Sequence, residues 1–365
     1  MASPSFLTSE QYVEYKQRLV HALTDMNVPE NKIGELVAYA DRLQSGKLPI
    51  IFDQPHLAGL LGYDLEYIQI LSTFTEDFYK EYQIPKRNGK KRIIHEPLPN
   101  LKEIQSWILD NILHSPGVLE SVSPVAMAFM PQRSIVDNAR SHVGKRTVIC
   151  MDLKDFFTSV QWIQVYAVFS EMGYGKDVAG TLAHLCTLNE VLPQGAPTSP
   201  MMSNLVMRRK DKLISAFCQS KGITYTRYAD DLTFSSNHPF EYGMLMGYVK
   251  TVMDNDKFIV NKEKTKVFHR NQSQNVTGIV VNERLQVGKK YRKKIRQEMY
   301  CLQHLGLETH FPHTHYPYSP QSYLNHLLGK VNHVLHVNGE DKEMLDYRKE
   351  LREIIKANSN FKENN

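Results

Sequence analysis

Two adjacent carboxylates, Asp230 and Asp231, stand inside an alternating stretch, Tyr225-Thr-Arg-Tyr-Ala-Asp-Asp-Leu-Thr-Phe-Ser-Ser236. Aromatic and β-branched residues on both sides predict two short strands joined by a tight turn, with the acids at the tip. Neighbouring carboxylates repel unless a cation lies between them. A hard divalent ion resolves the repulsion, and magnesium is the natural one where phosphates are handled. A solvated turn carries such a pair as well. A second segment, Val148-Ile-Cys-Met-Asp-Leu-Lys-Asp-Phe-Phe157, is an apolar run that ends in Asp152. It predicts a buried strand delivering a carboxylate at its end. Three carboxylates from two strands can hold two metal ions about 4 Å apart, one activating an attacking hydroxyl and one stabilising a leaving oxygen. That chemistry is nucleotidyl or phosphoryl transfer, with the polymer left open.

A third segment, Leu192-Pro-Gln-Gly-Ala-Pro-Thr-Ser-Pro200, precedes a helical pattern. Its breakers and small hydroxyls predict a loop feeding a helix N-terminus, able to present backbone N–H groups to a nucleotide. An ordinary proline-rich turn has the same composition. Taken in order and spacing, Asp152 with Phe157, the Leu-Pro-Gln-Gly-Ala-Pro-Thr-Ser-Pro run and Tyr228-Ala-Asp-Asp231 resemble the palm motifs of reverse transcriptases. The likeness is closest to bacterial retron-type enzymes. Asn138-Ala-Arg-Ser-His142 resembles their Asn-Ala-x-x-His element, and Val276-Thr277-Gly278 their Val-Thr-Gly element.

The resemblance implies an α+β fold of right-hand polymerase type: fingers, a palm with an antiparallel sheet plus helices, and a helical thumb. It places a helical N-terminal extension at 1–80, fingers at 81–145, the palm at 146–282, and a thumb with an RNA-binding C-terminal region at 283–365. It implies that Asp152, Asp230 and Asp231 ligate two Mg2+ ions, and makes Asp155 structural. Phe157 would lie beneath the sugar and exclude a ribose 2′-OH. Gln194 and Gly195 would line the nucleotide pocket, and Lys91 and Arg92 would meet the triphosphate. Tyr228 would pack near the primer end, and Val276, Thr277 and Gly278 would hold the primer strand. The partners it implies are deoxynucleoside triphosphates, a cognate structured non-coding RNA serving as template, and its branched DNA product. An effector protein of an anti-phage defence system is implied as well. Another bacterial reverse transcriptase, or a nucleic-acid-binding scaffold with a dead palm, are the competing readings; intact aspartates argue against the second.

The remaining chain is read from pattern. Residues 35–43 have helical apolar spacing with Gly46 as a stop, and 56–71 predict two short helices around Gly62. Residues 86–94 predict a basic hairpin with Asn88-Gly89 at its turn. Lys264, in a charged run after a predicted helix, could protonate the leaving pyrophosphate. Lys289, Lys290, Arg292, Lys293, Lys294 and Arg296 surround Tyr291, a mixture suited to phosphate contact and stacking or to a solvated helix face. The tail from 356 predicts fraying.

Bulk properties set wide limits. The 365 residues, 42% of them hydrophobic, are enough for several cooperating subdomains. A formal net charge of +5 accommodates nucleic acid without requiring it. Four scattered cysteines predict reduced thiols in a cytoplasmic protein, and the histidines at 304–315 with Cys301 match no strong zinc spacing. No run of about 18 apolar residues predicts a membrane span.

Overall fold

The computed structural model describes residues 7–85, 89 and 91–363. It is a mixed α+β fold with a central antiparallel sheet and flanking helices. The described chain divides into two compact units. One comprises Met1–Pro131, Asp152–Phe217 and Glu241–Asn261; the other comprises Gln132–Met151, Cys218–Phe240 and Lys262–Asn365.

The first unit is mostly helical. Its opening helices are Ser9–Asp25, Glu30–Ser45, Gln54–Leu61 and Leu65–Thr73. Gly46 caps the second, and Gly62 at φ +76° closes the third. The left-handed conformation there suits glycine, which lacks a Cβ. The Asp53 carboxylate accepts from the His56 N–H at 2.8 Å and starts that same helix. The helix Lys176–Cys186 packs against Gln54–Leu61, Leu65–Thr73, Pro99–Ile108 and Trp162–Glu171. Leu57, Leu71, Ile104, Phe169, Leu182 and Leu185 are buried in this unit. Two strands, β1 (Tyr79–Pro85) and β2 (Lys91–Pro97), form an antiparallel hairpin with Pro85 opposite Lys91. Of its predicted turn, Asn88 lies outside the described residues and Gly89 has φ +78°.

The second unit holds the four-stranded sheet in the order β4-β5-β3-β6. These strands are β3 (Thr147–Lys154), β4 (Thr224–Tyr228), β5 (Asp231–Ser236) and β6 (Ile259–His269). The last residues of β3 and the first of β6 count with the first unit. A smaller sheet joins β7 (Asn275–Val276), β8 (Ile279–Val280) and β9 (Gln286–Val287). The helices Lys289–His310, Pro320–Val337 and Lys342–Glu363 pack with it around Val276, Ile279, Val281, Ile295, Leu327 and Val331. The first of these helices is interrupted at Gly306, whose φ of +73° is not helical. The final helix, Lys342–Glu363, includes most of the tail from residue 356, and residues 364–365 lie outside the described residues. Among the described residues, no helix is long and apolar enough to cross a membrane.

Candidate active site

The Tyr-Ala-Asp-Asp segment is a hairpin with a two-residue loop. Tyr228 pairs with Asp231, leaving Ala229 and Asp230 as the loop. Hairpin loops of this length match strand twist when the first loop residue has positive φ. Ala229 supplies it at +56°, although its Cβ makes that conformation costly. Arg227, fully buried, donates from a guanidinium nitrogen to the Ala229 carbonyl at 3.2 Å and braces the turn. On the same pair of strands, the buried Tyr225 stacks on the buried Phe234 with centroids 4.9 Å apart. Asp231 is exposed and Asp230 half-buried at the tip. Burial, followed by the charge of Asp231, pushes the Cys150 thiol on β3 up to about 11, against a hydrogen bond to Thr233 and the charge of Lys266.

Asp152 lies two residues before the end of β3 and accepts from the Asn261 amide at 3.4 Å. Asp155 follows in a left-handed conformation, φ +44°, and its carbonyl accepts from the Ser159 N–H at 3.0 Å. It thereby opens the one-turn helix Phe156–Ser159 that carries Phe157. The Phe157 ring is half-buried, 6.1 Å from Phe129 and 5.5 Å from Phe156.

The loop before the helix Ser199–Ser220 is tied to β2. The Gln194 carbonyl accepts from the His95 N–H at 2.7 Å. Gly195 has φ +128°, and a Cβ there would lie 2.5 Å from the His95 carbonyl oxygen. Only glycine permits this approach. The first unit thus brings the Gln194–Gly195 backbone against the strand that carries Lys91 and Arg92. Both of those cations are exposed, with Lys91 donating to Gln83 at 2.9 Å.

The elements Asn138–His142 and Val276–Gly278 meet inside the second unit. Thr277 at φ +47° and Gly278 at φ +86° form a two-residue loop between β7 and β8, where both positions need positive φ. The Thr277 hydroxyl donates to the Ile135 carbonyl at 3.3 Å and accepts from the Asn138 amide at 3.4 Å. The Val276 side chain is buried in the core, while Gly278 is exposed. Lys264 is exposed on β6.

The basic run on the helix Lys289–His310 divides into two groups. Arg292 pairs with Asp341 and, at 3.2 Å, with Glu343; Arg296 pairs with Glu343 at 2.6 Å. Lys289, Lys290, Lys293 and Lys294 remain exposed. The acidic partners lie some fifty residues along the chain, so no local pattern announces them. His310, in the neighbouring histidine-rich stretch, bonds Glu298 at 3.0 Å and the Tyr323 hydroxyl at 3.0 Å.

Among the described residues no three His, Cys, Asp or Glu side chains form a group enclosing a metal ion. The donors at the hairpin tip and on β3 are carboxylates, with the Asn261 amide beside Asp152. Carboxylate oxygens as a class suit hard divalent cations better than zinc.

Residues 84–299 match the family of reverse transcriptases (RNA-dependent DNA polymerases). The chain is 32% identical to the retron Ec86 reverse transcriptase of Escherichia coli, covering 71% of this chain and 81% of that protein. It is 35% identical to the retron Mx65 reverse transcriptase of Myxococcus xanthus, covering 75% of this chain and 65% of that one. A telomerase structure from Candida albicans, with a fragment of telomeric RNA, aligns with a TM-score of 0.45 at 10% identity. It covers 80% of this chain and 65% of that one, a likeness too slight to add to the assignment. The chain belongs to the retron-type reverse transcriptase family.

Proposed function

We propose that this protein is an RNA-directed DNA polymerase of a retron, copying a partner non-coding RNA into single-stranded DNA. The observation that carries the reading is the braced two-residue turn that sets Asp230 and Asp231 at a hairpin tip, in a chain of this family. Fingers, palm and thumb correspond in this reading to 81–145, 146–282 and 283–365, behind a helical extension at 1–80.

Asp152, Asp230 and Asp231 are the proposed ligands of two magnesium ions. When bound, these supply a lowered pKa at the primer hydroxyl and neutralise charge on the triphosphate and pyrophosphate. Lys91 and Arg92 bind triphosphate oxygens, and Gln194 and Gly195 present backbone to the nucleotide. Phe157 excludes the 2′-OH, Tyr228 packs at the primer end, and Lys264 donates a proton to the leaving pyrophosphate. The turn at 277–278 offers backbone rather than the buried Val276 side chain to a primer strand. Lys289, Lys290, Lys293 and Lys294 are the cations of their helix available to RNA phosphates, because Arg292 and Arg296 already hold carboxylates. The retron reading adds a guanosine 2′-OH within the RNA as primer, a branched RNA–DNA product, and an effector protein in anti-phage defence.

The test is to purify the chain, sequence the nucleic acid that accompanies it, and measure magnesium-dependent deoxynucleotide incorporation on that RNA. A single structured RNA joined to DNA through a 2′ linkage is the expected result. Nucleic acid of random sequence and no incorporation would leave a binding scaffold instead.

A further inference from the structure

The face of β4 and β5 that carries Asp231 has an unusual composition. Side chains alternate along a strand, so Asp231, Thr233 and Ser235 share a face, as do Thr224, Thr226 and Tyr228 on the partner strand. Register puts Thr226 opposite Thr233 and Thr224 opposite Ser235. Thr226, Thr233 and Ser235 are buried hydroxyls where apolar side chains usually set register. Something other than hydrophobic patterning must hold this face.

His142 does so. Its Nδ1 lies 2.7 Å from the Ser235 hydroxyl on β5, and its Nε2 lies 2.7 Å from the Thr226 hydroxyl on β4. The imidazole therefore bridges both strands of the hairpin. Thr226 donates its only hydroxyl hydrogen to the Asn138 side-chain oxygen at 2.6 Å. Its oxygen must then accept from His142, which fixes the hydrogen on Nε2 and leaves Nδ1 to accept from Ser235. The Asn138 amide continues to Thr277, whose hydroxyl ends on the Ile135 carbonyl. Five bonds run in one direction: Ser235 to His142 to Thr226 to Asn138 to Thr277 to Ile135. Asn138, His142 and Ser235 are each 0% exposed, so a member left unpaired is cut off from bulk solvent and costly. Burial, with the charge of Lys145, lowers the His142 pKa to about 3 and keeps the ring neutral, as one donor and one acceptor require.

We propose that His142 and Asn138 are positioning residues for nucleotide addition. By clamping Thr226 and Ser235 they hold the β4–β5 register, and through it the Asp230–Asp231 turn, against the β7–β8 loop at Thr277. The inference rests on the polymerase reading of Asp230 and Asp231. Neither residue reaches the reacting atoms; each acts through the hairpin.

The test uses the full-length protein with an oligo(dT)-primed poly(rA) template. Thr226→Val removes one hydroxyl at almost constant shape, Ser235→Ala removes the first donor of the chain, and His142→Leu removes both strand contacts. His142→Gln retains a donor and an acceptor. Single-turnover rate, template and nucleotide affinity, and amide hydrogen exchange at residues 228–232 are measured on the folded protein. The expected result is a rate about ten- to a hundredfold lower for Thr226→Val, the scale of a small misplacement of reacting groups. Affinities stay within about twofold for a rate effect of this kind, exchange at the turn is faster, and His142→Gln recovers part of the rate. Should Thr226→Val not fold, Ser235→Ala gives the same comparison with one bond removed. Wild-type rate, or a lower rate with unaltered exchange at 228–232, overturns the proposal. Absence of synthesis by the wild-type protein instead overturns the polymerase reading, and the exchange data alone then decide the clamp.

Discussion

The hairpins β1–β2 and β4–β5 both carry charged residues assigned here to nucleotide chemistry, and they are built in opposite ways. Every residue of β1 after Tyr79 is exposed, including Tyr82 and Ile84, and Ile93 on β2 is exposed too. Every residue of β5 after Asp231 is buried. The acidic hairpin is held by the Arg227 guanidinium on its turn, by the Tyr225–Phe234 stack, and by the imidazole of His142. For the basic hairpin, the Gln194–His95 bond is a tie near the base of β2. A metal-binding carboxylate must be fixed, because its ligand geometry tolerates little error. A cation that meets a mobile triphosphate gains from a strand with few buried contacts, where opening costs little.

The largest expected effect falls on the fixed hairpin. Asp230→Ala and Asp231→Ala should abolish DNA synthesis while folding and RNA binding persist, measured by primer extension in magnesium beside thermal melting. Extension at near wild-type rate by either variant would end the assignment of these carboxylates.

Next comes the tie of the basic hairpin. Gly195→Ala forces a Cβ to within 2.5 Å of the His95 carbonyl at a φ of +128°. A stability loss of about 1–3 kcal/mol is expected from the strained backbone, together with a raised KM for nucleotide. Denaturant melts and steady-state kinetics measure both, and an alanine variant as stable as wild type would show that the loop moves away without cost.

Acid should act on the fixed hairpin through His142. Its folded pKa is lowered to about 3, below the ordinary value of 6.5, so the unfolded chain binds the extra proton first. Stability from this group is present above pH 6.5 and is lost as pH falls toward 3, by up to about 1.4 kcal/mol per unit. His142→Gln should show a shallower decline between pH 7 and 5 in parallel denaturant titrations. Equal slopes would mean that His142 is not the group responsible.

The smallest effect belongs to the exposed cations. Lys91→Ala and Arg92→Ala should raise the nucleotide KM about fivefold, roughly 1 kcal/mol, with an unchanged melting temperature, since exposed polar pairs contribute little to stability. A lower melting temperature with an unchanged KM would reverse the contrast between the two hairpins.

Much of this chain is legible in its sequence. Alternation at 225–236, the apolar run into Asp152, Gly62 between two helices and Gly195 in its loop are local signals, and each follows from side-chain period or backbone freedom within a few residues. The family, too, was legible, because its motifs are short and ordered along the chain. Long-range pairing was not. Nothing local tells that Arg292 and Arg296 meet Asp341 and Glu343, that Val276 turns into the core, or that the tail continues as helix. Likewise the alternation at 225–236 names no partner for Thr226 or Ser235, and only tertiary structure places His142, more than eighty residues earlier, between them. The physical reason is that a buried hydroxyl has to find a partner, and the partner is chosen by which surfaces the folded chain presses together rather than by its neighbours in sequence.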